Sequence, residues 1–125
     1  MITALSYMYR DASNYKQHGE AYFEGRISFS ERRAFAVHLS EVDGRQLYFL
    51  AEQVGLPNLR EEWSTHFDDD HVWHEFVCFD ILEKRRISTQ ESICDFVDRF
   101  CRTEWNTTLA TATLTAWQRD TPVGH

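Results

Sequence analysis

The sequence predicts an α+β fold: an antiparallel sheet of about four strands packed against two amphipathic helices, in the order ββαββα. Three observations predict it. Two capping-box patterns, Ser28–Glu31 and Ser88–Glu91, each precede apolar residues at helical spacing. Outside those stretches lie short runs rich in aromatic residues or alternating in polarity, which suit strands. Between them stand Asp, Asn, Ser and Gly, whose chemistry serves turns. The 125 residues fit one domain covering 1–125. Aromatic residues make up 14% of the chain, enough bulk for a core and too much for a disordered segment.

Taken in order, Ala4–Arg10 is aromatic and extended, and Asp11–Gly19 supplies turn residues. Glu20–Ile27 alternates, with Tyr22 and Glu24 on one face and Ala21, Phe23 and Gly25 on the other, so the two strands form a hairpin. The first helix is capped at Ser28 or, equally well, at Ser30, runs through Phe35, Leu39 and Val42, and stops at Asp43-Gly44. Gln46–Ala51 is short, apolar and aromatic, hence a buried strand. Val54-Gly55-Leu56-Pro57 opens a loop that runs to about Asp70. His71–Leu82 is the next strand. Strict alternation puts Trp73, Glu75, Val77, Phe79 and Ile81 on one face, and His74, Phe76, Cys78, Asp80 and Leu82 on the other. The second helix buries Ile93, Phe96, Val97, Phe100 and Cys101. The stretch Thr107–Trp117 carries two patterns. Its threonines favour a strand, whereas Leu109, Ala112 and Ala116 fit a helix capped by Asn106. The strand is preferred, and an exposed last strand could pair with its twin in a homodimer.

Composition bounds the partners. Twenty acidic and 13 basic residues give a net charge of −7, a poor host for nucleic-acid phosphates. Arg32–Arg33 and Lys84–Arg86 stand beside acids and read as solvated faces. Cys94 and Cys101 are two helical turns apart, about 10 Å, beyond the roughly 7 Å that a disulfide spans. With Cys78 they are expected to be small buried thiols in a reducing compartment. No signal leader or membrane-length apolar run is evident. The expectation is a cytoplasmic protein without membrane contact.

The densest polar constellation is His66–Glu75. Asp70, His71, His74 and Glu75 are the candidate ligands for a divalent metal such as Zn or Mn, the only cofactor the sequence raises. On a strand, however, His71 and Glu75 point one way and His74 the other, and the spacing is not that of His-Glu-x-x-His. Asp80 and Glu83, with Glu75, are carboxylates that nothing in the sequence brings together. Tyr7, Tyr9, Arg10, Tyr15 and Trp73 are the candidate binding residues, because Tyr, Trp and Arg dominate protein contacts. Phosphate-binding glycine loops, Gly-x-Ser-x-Gly elbows and Cys-x-x-Cys pairs do not occur.

Three motifs carry a resemblance. Tyr9-Arg10-Asp11-x-x-Asn14-Tyr15-Lys16, Val54-Gly55-Leu56-Pro57-x-Leu59 and Asp70-His71-x-Trp73-His74-Glu75 look like a family of small uncharacterised bacterial proteins, over roughly residues 7–100. That family lends no catalytic residues. The resemblance implies that function sits near Asp70–Glu75. The leading expectation is a non-enzymatic binding or regulatory module that docks another protein. The alternatives are a metal-binding protein or metal-dependent enzyme using Asp70–Glu75, and an acidic mimic of nucleic acid using Glu61, Glu62, Asp68, Asp69, Asp70, Glu75 and Asp80.

Overall fold

A computed structural model describes residues 1–10, 16–59, 72–83, 87, 89 and 91–109. The class is α+β: the described residues form two long helices and one antiparallel sheet of five strands, one more than expected. Strands β1 (Ile2–Arg10) and β2 (Lys16–Glu24) pair from Ile2↔Glu24 to Arg10↔Lys16. Helix α1 (Phe29–His38) follows, then β3 (Ser40–Val42), β4 (Arg45–Phe49), β5 (His74–Leu82) and helix α2 (Ile93–Arg102). The spatial order is β2-β1-β5-β4-β3. No described helix is long and apolar enough to cross a membrane.

Strand β2 begins earlier than its turn-rich sequence predicts. Gly19 lies opposite Tyr7, and a Cβ there would sit 2.9 Å from Leu59 Cδ2 and 3.0 Å from the Tyr7 ring. This glycine makes room for a packed ring and does not form a turn. Buried Thr3 then secures the chain's exit from β2. Its hydroxyl donates to the Gly25 carbonyl at 2.8 Å and accepts from the Ile27 N–H at 3.0 Å.

Helix α1 starts at the expected capping box: Ser28 N–H donates to Glu31 Oε1 at 2.8 Å, and Glu31 N–H to Ser28 Oγ at 3.1 Å. It ends at His38, four residues before Val42. Asp43 and Gly44 both have positive φ, 53° and 81°, the geometry of a two-residue hairpin turn. That turn recruits Ser40–Val42 into β3. The Gln46 amide donates to the carbonyls of Val37 (3.2 Å) and Leu39 (3.0 Å), satisfying groups that the shortened helix leaves open.

Strand β5 departs from strict alternation. Its register with β1 slips between Ser6↔Cys78 and Tyr7↔Phe76, so Val77 is an extra, exposed residue. This β-bulge puts His74 and Phe76 on the same face as Phe79, and Glu75 on the face of Cys78 and Asp80. The expected pairing of Glu75 with Phe79, and of His74 with Asp80, is corrected accordingly.

Helix α2 is capped by Ser92, whose Oγ accepts from Asp95 N–H at 3.1 Å; the cap lies past Glu91 and outside the expected box. Glu91 instead receives Arg99, with Nε to Oε2 at 3.3 Å and Nη2 to Oε1 at 2.5 Å. Of the expected stripe, Ile93, Phe96, Val97 and Phe100 are buried and Cys101 is half-buried. Both helices cover one face of the sheet. Phe35 of α1 stacks on Phe100 at 4.0 Å and meets Phe76 (4.9 Å) and Phe79 (4.8 Å) edge-on. Each such ring contributes roughly 1.5–3 kcal/mol by burial alone. After α2, residues 107–109 are helical, with Asn106 Oδ1 accepting from Leu109 N–H at 2.9 Å. The cap pattern therefore overrides the threonines there, and the rest of the expected last strand lies outside the described residues.

Candidate functional site

Adjacent residues of β5 face opposite sides of the sheet, and His74 and Glu75 anchor two different environments. His74 is fully buried on the helix-covered side, among the rings of Tyr9 (5.3 Å), Tyr7 (5.9 Å) and Phe49 (6.2 Å). Its Nε2 accepts the Leu59 backbone N–H at 3.1 Å. An accepting Nε2 is a neutral imidazole with its proton on Nδ1. The Tyr7 hydroxyl donates to the Pro57 carbonyl at 2.8 Å, so two core side chains grip the segment 57–59.

Glu75 faces the opposite side of the sheet yet is almost fully covered. Its carboxylate accepts Arg10 Nε at 3.4 Å and the Tyr48 hydroxyl at 3.5 Å, from strands on either flank. A carboxylate at this burial needs such partners, because desolvation opposes its charge. Sequence reasoning missed Tyr48 and Leu59 as partners. Strand register sets Tyr48 opposite Glu75, and the segment after β4 brings Leu59 to His74; neither is visible in residue spacing.

The expected binding residues divide. Tyr7 and Tyr9 are core residues, 1% exposed, and offer no contact surface; the alternation of β1 turns both toward the helices. Arg10 and Trp73 are half-buried. Tyr15 lies outside the described residues. Of the expected metal ligands, Asp70 and His71 lie outside the described residues, as do Glu61, Glu62, Asp68 and Asp69 of the acidic surface. His74 and Glu75 point away from each other, and hydrogen bonds engage His74 Nε2 and both Glu75 carboxylate oxygens. Among the described residues no three His, Cys, Asp or Glu side chains are placed to hold a metal ion.

The sheet face opposite the helices carries a separate feature. Ala4 and Ser6, small residues of central strand β1, form the floor of a depression of about 370 Å³. Tyr22 and Leu82 border it, with exposed Glu20 and Asp80 at its rim. The Tyr22 hydroxyl is hydrogen-bonded to Glu20. Cys78 lies on this face and donates to Asp80 Oδ2 at 3.6 Å. Burial, followed by the Asp80 charge, pushes its thiol above the ordinary value.

The other two cysteines are on α2. Cys94 is raised chiefly by its hydrogen bond to Glu31, and Cys101 by burial and then the Asp98 charge. All three cysteines are free thiols, and the sheet separates Cys78 from the others. Cys94 and Cys101 line a groove of about 390 Å³ between α1 and α2, floored by Ala34 and Val97.

These elements define an α+β sheet-and-helix domain whose most buried polar groups serve its own architecture. No protein-family model, curated protein or solved structure matches the chain.

Proposed function

We propose that this protein is a non-enzymatic binding module that docks another protein on the open face of its sheet. The supporting observation is the depression over Ala4 and Ser6. Small side chains on a central strand leave space for an incoming group, Tyr22 and Leu82 offer apolar walls, and Glu20 and Asp80 offer negative charge. The fitting partner presents a basic side chain flanked by apolar ones, with the net charge of −7 aiding its approach. A reducing, cytoplasmic setting belongs to this reading, supported by three cysteines present as thiols.

The test is site-specific photo-crosslinking in the cells that make the protein. A benzophenone side chain at position 22 should capture a defined partner, and one at Phe29, which is 80% exposed on α1, should not. Ser6→Leu, which fills the depression, should abolish capture at position 22. Equal capture from both positions, or capture indifferent to Ser6→Leu, would overturn the proposal.

A further inference from the structure

Strand β2 forms one edge of the sheet, and edge strands present main-chain groups that can pair with another chain. At its C-terminal end this edge is occupied: Glu24 bridges Ser92, and Thr89 Oγ1 donates to the Tyr22 carbonyl at 3.3 Å. The Tyr22 carbonyl therefore points away from β1. Main-chain groups alternate sides along a strand, so Lys16, His18 and Glu20 also turn their N–H and C=O groups outward. All three residues are exposed. The outward stretch has a cation at one end, a carboxylate at the other and His18 at its centre.

We propose that this edge pairs antiparallel with the same edge of a second copy of the chain, about a two-fold axis at His18. In that register Lys16 of each copy stands opposite Glu20 of the other, and His18 stands opposite His18. All three pairs are of the hydrogen-bonded kind, giving about six new main-chain bonds. Opposite charges directly across an antiparallel pair are favourable, and like charges are unfavourable. Moving the axis to Glu20 would oppose two carboxylates and drive Glu24 into the Ser92 bridge. Moving it to Lys16 would oppose two ammonium groups. The charges thus select one closed, isologous register. This interface uses the outward main chain of β2 and shares with the docking proposal only the Glu20 side chain at the rim of the depression.

Sedimentation of the full chain across micromolar to millimolar concentrations at low salt tests it. A reversible dimer is expected, with Lys16→Glu or Glu20→Lys alone raising its dissociation constant at least about tenfold, since each reversal converts two attractive pairs into repulsive ones. The double variant Lys16→Glu/Glu20→Lys should restore dimerisation, because it exchanges the charges without changing their pairing. Circular dichroism and melting of each variant verify that the fold is intact. A monomer at the highest concentration, a dimer indifferent to single reversals, or a double variant that fails to recover would each overturn the proposal.

Discussion

The backbone N–H of Leu59 donates to Nε2 of His74 at 3.1 Å across a sequence separation of 15 residues. The acceptor sits in a box of Tyr7, Tyr9 and Phe49, away from water that could replace it. His74→Leu keeps the site filled and leaves the buried Leu59 N–H without this acceptor, at an expected cost of about 1–3 kcal/mol. In His74→Gln the amide oxygen can accept the same N–H, so that variant should lose less. Urea unfolding of the two variants measures the difference. Equal losses would show that the bond to Leu59 does not hold this segment.

Thr3 does for the exit from β2 what His74 does for residues 57–59. Its hydroxyl is a buried relay, donating to Gly25 and accepting from Ile27. Thr3→Val keeps the shape and removes both bonds, leaving the Ile27 N–H and the Gly25 carbonyl without that partner. A cost of about 1–3 kcal/mol is expected, whereas Thr3→Ser keeps the relay and should cost less. Chemical denaturation of the two variants measures the difference. A valine variant as stable as the serine variant would show that backbone packing alone closes this corner.

The sequence made the helices and the first hairpin legible because their determinants are local. Ser28 and Glu31 meet within one turn, and Ile93, Phe96, Val97 and Phe100 recur at the helical period. It misled where a short pattern fits two structures. Leu39 and Val42 suit a continued helix, and only the positive-φ pair Asp43-Gly44 turns that stretch into a strand. The faces of β5 were illegible for a different reason. The bulge at Val77 is a mismatch between two strands distant in sequence, and it reverses the sides of Glu75 and His74 relative to Phe79. The same non-locality hid the site geometry. Tyr7 and Tyr9 look like contact residues in composition, yet the parity of β1 sends them into the core.

Glu31 links the first capping box to a thiol. Burial disfavours its charge, but hydrogen bonds from Ser28 and from Cys94 outweigh that and hold its carboxyl below the ordinary range. The reciprocal effect falls on Cys94: the hydrogen bond to Glu31, then its charge, raises the thiol above the ordinary value. Cys94 is exposed, so access does not protect it; a low thiolate fraction does. Glu31→Gln removes the charge while glutamine still suits the third position of the box, so the helix should remain capped. Alkylation by iodoacetamide at pH 8, resolved by peptide mass spectrometry, should then speed up severalfold at Cys94. The rate at Cys101, whose shift comes from burial and Asp98, should stay unchanged. Parallel acceleration at both sites would indicate a loosened helix, and no acceleration would mean that Glu31 does not restrain the thiol. The selective outcome would make the carboxylate that caps α1 the group that keeps an exposed cysteine unreactive.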